Sequence, residues 1–209
     1  MSELNITVED FGVQVAAAWQ GLRSTTRDLM EKALTANAAR PVAPVVRALP
    51  YDARADWELS GLLTVLDARA REARESLSSE QSTNLEKMAE TCATVLSDRT
   101  QSAEVFAQLV ERAHDRRDYA RIDVLADALA KRLAPAEICE LARSGNVVIR
   151  ALAHESLVTA PTSVLVGLLR DPVDAGIARD VLERQAVDYD SEEARQIVNY
   201  LEQSELSGE

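Results

Sequence analysis

The sequence predicts an all-α fold, and three observations lead to that prediction. Aromatic residues make up only 4% of the 209 residues, whereas alanine, the strongest helix former, occurs 33 times. No glycine lies between Gly61 and Gly145, and no proline lies between Pro50 and Pro135, so turn-forming residues are missing from the middle of the chain. In addition, no segment shows the polar–apolar alternation that is typical of a strand.

The first fifty residues are predicted to form two helices followed by a linker. The segment 7–10 resembles a capping box, in which the side chain of Thr7 accepts a hydrogen bond from an early helix N–H. We therefore expect a first helix from Thr7 to about residue 22, and a second over about 26–37. Three prolines within 40–50 indicate a linker with at most one helical turn.

Three amphipathic helices are predicted next. A long one over about 53–77 carries a single apolar stripe of Leu59, Leu62, Leu63, Leu66, Ala70, Ala73 and Leu77. Ser78 and Ser79 break it. The following helix has apolar residues at i, i+3, i+4 and i+7 spacing, namely Leu85, Met88, Ala89, Cys92, Val95 and Leu96. A third helix, lined by Phe106, Leu109, Val110 and Ala113, is expected to end near Arg116.

From Asp118 onward the predicted helices are short, and proline or acidic residues mark their first turns. We expect six of them, over about 119–132, 135–143, 147–158, 162–170, 173–185 and 192–203. Part of this region nearly repeats itself. The segment 141–145 resembles 168–172, which lies 27 residues further on, and 153–157 resembles 178–182 at a separation of 25 residues. Such a period is typical of stacked helical repeats.

The predicted organisation is a helical bundle over 1–117, which contains the proline-rich linker 40–50, running into helical repeats over 118–209. One continuous α-solenoid is the alternative. Two segments of the second part, Arg-Ala-Leu-Ala at 150–153 and Leu-Leu-Arg-Asp at 168–171, resemble HEAT-like repeats and the related leucine-rich-repeat variant. The resemblance covers about residues 120–205. It implies an α-α superhelical array and no particular activity.

The charge of the chain argues against binding to nucleic acid. The net charge is −12, with −4 in residues 1–117 and −8 in residues 118–209. The densest basic cluster consists of Arg112, Arg116, Arg117 and Arg121, and acidic residues alternate with it, as on a solvated face. HEAT-like alkylpurine DNA glycosylases line a concave face with basic and aromatic residues, and Tyr119 is the aromatic residue nearby. A HEAT-like nucleic-acid-binding protein is therefore kept as a second alternative.

The sequence predicts no metal site. Glu111 and His114 have the Glu-x-x-His spacing of di-iron bundles, but a second such pair is missing. His154-Glu155 resembles the dyads of HEAT-like hydroxylases of the deoxyhypusine type, whose dyads recur on successive repeats. The next repeat has Arg179-Asp180 instead, which lacks the imidazole.

No catalytic or cofactor-binding residue is predicted either. Cys92 and Cys139 lie between core positions, with no His or Lys in the local sequence to lower the pKa of the thiol. Nothing resembles a nucleophile elbow or a phosphate loop. An enzyme or ligand carrier, with a site assembled in the bundle, remains the alternative to a non-enzymatic module. The two cysteines, the lack of an N-terminal signal pattern and the short apolar runs predict a cytoplasmic protein without a membrane span.

The C-terminal end supplies the predicted partner-binding site. Residues 180–209 contain nine acidic residues against Arg184 and Arg195. The candidate contact residues are Tyr189, Glu192, Glu193, Tyr200 and Glu202. We expect this end to bind a protein of basic character, and a non-enzymatic interaction or scaffold module is the predicted function. The alternative is that these residues only give the last repeat a polar outer face.

Overall fold

A computed structural model describes residues 8–36, 48–72 and 77–206 of the chain. Within these ranges the chain forms eleven α-helices and one 3₁₀ helix, Val8–Phe11, and no strand, so the all-α prediction is confirmed. The α-helices are α1 (Val13–Gly21), α2 (Ser24–Thr35), α3 (Ala53–Glu72), α4 (Ser79–Arg99), α5 (Ala103–Asp115), α6 (Tyr119–Arg132), α7 (Pro135–Ala142), α8 (Val147–Val158), α9 (Thr162–Leu168), α10 (Ala175–Asp188) and α11 (Glu192–Leu206). The chain divides inside α5 into two compact units, Met1–Val105 and Phe106–Glu209.

The first predicted helix is interrupted, and Gly12 is the reason. Its φ of 106° lies in the region that favours glycine, so the 3₁₀ helix ends there and α1 starts afresh at Val13. Arg69 Nε donates to the carbonyl oxygen of Phe11 over 2.7 Å and holds the break against α3. The break lets Phe11 and Val15 both be buried. The predicted cap, Thr7, lies outside the described residues.

Helices α3 and α4 form the centre of the first unit, and α1 and α2 pack against them. Asp52 caps α3, because its Oδ1 accepts from the N–H of Ala55 over 2.8 Å. The leucines of the predicted stripe, Leu59, Leu62, Leu63 and Leu66, are almost fully buried. The described part of α3 ends at Glu72 rather than Leu77, and residues 73–76 lie outside the described ranges. Most of the predicted linker 40–50 lies outside them too.

Helix α4 starts where the serines predicted a break. Ser78 forms a capping box with Gln81: Gln81 N–H donates to Ser78 Oγ over 3.2 Å, and Ser78 N–H donates to Gln81 Oε1 over 2.9 Å. The apolar positions predicted for this helix are all buried. Cys92 is among them, and its Sγ lies 3.3 Å from the carbonyl oxygen of Leu59 in α3.

The second unit contains the six short helices that the sequence predicted, α6 to α11. Two helix pairs, α7–α8 and α9–α10, have the spacing of the near-repeat. The N-cap residue of α7, Ala134, and that of α9, Pro161, are 27 positions apart. Ala153 and Ala178 occupy matching positions in α8 and α10, and neither is exposed. Helix α8 contacts α6, α7 and α10, while α7 contacts α9 and α10 contacts α11.

Gln185 links the two helix pairs through hydrogen bonds. Its Nε2 donates to the carbonyl oxygens of Val158 and Ala160, both at 2.8 Å, and Thr162 Oγ1 donates to its Oε1 over 3.4 Å. Gln185 is buried in α10. The carbonyl of Val158 belongs to the last residue of α8, and that of Ala160 belongs to the loop that follows. The side chain therefore satisfies backbone groups that the end of a helix leaves unpaired. Throughout the described ranges, no helix combines the length and the apolarity needed to cross a membrane.

Candidate functional site

The turn between α10 and α11 positions the predicted partner-binding residues. Helix α10 ends at Asp188, and Tyr189 and Asp190 form the turn, with Asp190 at a φ of 52°. Ser191 N–H donates back to the carbonyl oxygen of Gln185 over 3.0 Å. Ser191 Oγ then accepts from the N–H of Ala194 over 3.3 Å and so caps α11. The turn leaves the Tyr189 side chain 53% exposed.

Arg195 holds this turn together. Its Nη2 donates to Asp190 Oδ1 over 2.6 Å and to the carbonyl oxygen of Ala186 over 3.2 Å, and its Nη1 donates to Glu192 Oε2 over 2.6 Å. The hydrogen bonds from Arg195 to Asp190 and then to Glu192 raise the pKa of the guanidinium above its usual value. One cation thus joins the end of α10 to the first turn of α11.

The five predicted contact residues do not form a single patch. Glu193 and Tyr200 are seven residues apart on α11, nearly two turns, so they lie on the same side of the helix. Glu202 is nine residues from Glu193, or two and a half turns, and lies on the opposite side. Glu192 binds Arg195, and it also accepts from Gln196 Nε2 over 3.4 Å.

Fewer residues are therefore available on one side of α11 than the five that the sequence predicted. Tyr200 is 71% exposed, and Glu193 makes no ion pair or hydrogen bond with any described residue. Val187, at the end of α10, is exposed as well. The exposed phenol ring of Tyr200 and the carboxylate of Glu193 lie on the same side of α11, about 10 Å apart along its axis, and provide apolar contact area together with a negative charge. This combination suits a basic protein segment that carries an apolar side chain.

A second polar site lies at the start of α3, around the buried carboxylate of Glu58. Glu58 accepts from Thr26 Oγ1, from Arg23 Nε over 3.0 Å and from Arg54 Nε over 3.1 Å. Burial raises the pKa of Glu58, but the hydrogen bonds from Thr26 and Arg23 outweigh that effect and hold it below the usual value. Arg23 also binds both carboxylate oxygens of Asp52, and mainly this hydrogen bonding lowers the pKa of Asp52 to about 2.

Asp56, two residues before Glu58, is buried as well. The hydroxyl of Tyr51 donates to Asp56 Oδ1, and the N–H of Gln101 donates to Asp56 Oδ2 over 3.3 Å. The Arg99 guanidinium lies 4.9 Å from the centre of the Tyr51 ring. Burial, and then the hydrogen bond to Asp56, raise the pKa of Tyr51 far above its usual value. Together with the contacts of Glu58, these hydrogen bonds join the start of α3 to the start of α2 and to the residues after α4.

The metal candidates of the sequence lie on two helices of the structure. Glu111 and His114 are both exposed on α5, and His154 is half-buried on α8. Among the described residues, no group of three His, Cys, Asp or Glu side chains has the arrangement needed to hold a metal ion.

Both cysteines are buried, and neither forms a disulfide bond. Burial, followed by the charge of Asp174, raises the pKa of the Cys139 thiol to about 11, so this thiol is protonated at neutral pH. Asp174 is itself buried and binds Arg143 Nη1. Cys139 is therefore a core residue of α7 rather than a nucleophile.

The basic cluster is divided between the surface and the interior. Arg116 and Arg117 are exposed, whereas Arg112 and Arg121 are buried. Arg121 Nε lies 3.5 Å from Asp118 Oδ2. Tyr119 is 62% exposed, but only two of the four arginines, Arg116 and Arg117, share the surface with it. The four arginines thus do not build one continuous basic surface for a phosphate backbone.

One exposed residue, Trp57, was missed by the sequence prediction of functional residues. It lies in α3 between the buried carboxylates Asp56 and Glu58, and it is 74% exposed. The signal was available: the leucine stripe that predicted the buried face of α3 places Trp57 on the opposite side of the helix.

Comparison of the chain with protein-family models, with curated proteins and with solved structures finds no match.

Proposed function

We propose that this chain is a non-enzymatic protein-interaction module whose C-terminal helix pair binds a basic protein segment. The observation that carries the proposal is the pairing on α11 of Tyr200, 71% exposed, with Glu193, which no described residue neutralises. Tyrosine is enriched in protein interfaces, because its ring offers apolar area and its hydroxyl offers a hydrogen bond. Carboxylates of this kind speed the association of a basic partner.

The proposed architecture is a helical bundle over 1–117 leading into a short HEAT-like array over 118–209. Two observations support it: the N-caps of α7 and α9 are 27 positions apart, and α6, α8 and α10 contact one another in succession. Tyr200 and Glu193 lie on an exposed side of α11, where a partner can reach them. We further propose that the protein acts in the cytoplasm, which the lack of a disulfide bond between its two cysteines supports.

The test compares two sides of the same helix. A partner is first captured with the full chain from a lysate of the source organism, purified, and titrated against three chains at low and at high salt. The double variant Glu193→Gln/Tyr200→Ala removes the proposed contact, whereas Glu202→Gln removes one charge from the opposite side of α11.

We expect the double variant to bind about tenfold or more weakly, and Glu202→Gln to bind like the natural chain. Affinity should also fall as salt rises from about 50 to about 500 mM, because salt screens exposed charges. Equal binding by all three chains, with unchanged helix content, would show that this end of α11 is only the polar cap of the last unit.

A further inference from the structure

Helix α3 has one side that is mostly exposed, and Trp57 lies on it. Trp57 is the bulkiest of the exposed apolar side chains and one of only two tryptophans in the chain. Gly61, Thr64 and Ala68 follow it at intervals of four, three and four residues, so all four occupy the same side of the helix. Gly61 and Thr64 are exposed and Ala68 is half-buried. The result is a large flat ring followed by a shallow strip of small residues.

Gly61 leaves the exposed side of α3 without a side chain at its centre. It lies near the middle of a 20-residue helix, where glycine is less favourable than alanine. A Cβ atom at this position would meet no atom within 4 Å, and its backbone is not in the region reserved for glycine. Packing inside the protomer therefore does not require glycine here, whereas close approach by another backbone would.

The charges at the two ends of this side are opposite. Arg54 and Glu72 are 18 residues apart, which is five full turns, so they project from the same edge of the helix about 27 Å from each other. Arg54 is 67% exposed, and only its Nε is used, in the contact with Glu58. Glu72 makes no ion pair with any described residue. An antiparallel second copy of α3 would bring each Arg54 next to a Glu72.

We propose that two copies of this chain associate through antiparallel packing of their α3 helices. With the two-fold axis near residue 63, Trp57 of each copy covers Ala68 of the other, and Gly61 lies opposite Thr64. Large residues thus face small ones at both ends, as an isologous interface requires. Arg54 and Glu72 form a charge pair on each side of the axis, at the positions where antiparallel helices pair charges.

The size of this surface predicts a weak dimer. A strip about 27 Å long on a helix about 10 Å wide supplies a few hundred Å² per copy. That is less than the roughly 800 Å² per partner of a standard stable interface. We therefore expect a dissociation constant in the micromolar range and rapid exchange between monomer and dimer.

Sedimentation velocity of the full chain from about 1 to about 500 µM tests the proposal. The natural chain should shift from monomer to dimer over this range. Trp57→Ala and Gly61→Leu should weaken the dimer at least tenfold, the first by removing the ring and the second by blocking close approach. Val13→Ala is the matched control, because Val13 is an apolar residue of α1 that is 87% exposed, and this change should not affect the dimer.

Charge exchange gives the decisive result. Arg54→Glu and Glu72→Arg should each weaken the dimer, and the double exchange should restore it, because the pair is then re-formed with its signs reversed. Thermal unfolding of each variant checks the protomer, since Arg54 also contacts Glu58. The proposal is overturned if the natural chain stays monomeric at the highest concentration, or if a dimer persists unchanged in Trp57→Ala and in both single charge variants.

Discussion

Arg23 Nε donates to Glu58 Oε1 over 3.0 Å, and this contact joins the residue before α2 to the second turn of α3. The Glu58 side chain is 3% exposed. The same guanidinium reaches outward to Asp52, the residue that caps α3. A single side chain thus connects a buried carboxylate, an exposed one and the start of the central helix of the first unit.

Replacing Glu58 with Gln should destabilise the first unit. The amide keeps the shape of the carboxylate but loses the charge-assisted bonds with Arg23 and Arg54, and it must also accommodate the donor from Thr26. We expect a loss of about 1–3 kcal/mol in the free energy of unfolding, measured by urea titration followed by circular dichroism. Glu86→Gln, which changes an exposed glutamate of α4, should alter stability by less than about 0.5 kcal/mol. Equal effects would mean that the buried network contributes nothing.

Stability should fall in acid because of the same carboxylates. The pKa of Glu58 in the folded protein lies below its usual 4.5, and that of Asp52 is lowered to about 2 from 3.8. The unfolded chain therefore takes up protons first, so the stabilisation is present above about pH 4.5 and is lost as pH falls toward 2. Urea titrations at pH 7, 5, 4 and 3 should show the natural chain losing more stability than Glu58→Gln. Parallel losses in the two chains would contradict this assignment.

Gln185 offers a test of the link between the helix pairs of the second unit. Gln185→Leu fills a similar volume but leaves the carbonyls of Val158 and Ala160 without their donor, at a cost of about 2–4 kcal/mol. Gln185→Glu should cost more near neutral pH, because a carboxylate would face two carbonyl oxygens. The exposed Gln196 provides the matched substitutions to Leu and Glu. The structure predicts a lower melting temperature for Gln185→Glu than for Gln185→Leu, and little change for either variant of Gln196. Thermal unfolding measures this order.

The matching alanines of α8 and α10 should tolerate no added volume. Ala153→Val and Ala178→Val insert two methyl groups at positions with no exposed surface, and each should cost about 1–3 kcal/mol. Ala151→Val, on the exposed side of α8, measures the cost of a β-branched residue in a helix alone, about 0.5 kcal/mol. If all three variants melt at the same temperature, the tight contact between the helix pairs is refuted.

Most helices could be predicted from the sequence, because apolar spacing and capping residues are local signals. Ser78 and Pro135 start helices as expected. The main error concerns the first predicted helix, which the structure divides at Gly12 into a 3₁₀ helix and α1. The break was not predicted because a residue far along the chain holds it. Arg69, 57 positions further along the chain, bonds to the turn that Gly12 makes possible. A local pattern contains no information about such a contact.

The candidate site was less predictable than the fold for a similar reason. The acidic composition of the C-terminal end was evident, and the i, i+3 spacing of Glu192 and Arg195 allows their contact, but the second contact of Arg195, with Asp190, depends on the turn at Asp190. The buried role of Glu58 depends on Arg23, 35 residues earlier. Sequence patterns predict which side of a helix a charged residue occupies, whereas its partner is determined by how the helices pack.

The pattern of helix contacts also has a consequence for the order in which the chain acquires its structure. In the second unit, the main contacts join helices that are neighbours or next neighbours along the chain, from α6 with α8 to α10 with α11. In the first unit, the 3₁₀ helix packs on α4, which starts about seventy residues later. Loops that must close over longer distances slow folding. The second unit should thus form its native contacts first. The first unit should form its contacts later, because the N-terminal 3₁₀ helix must first pack against α4.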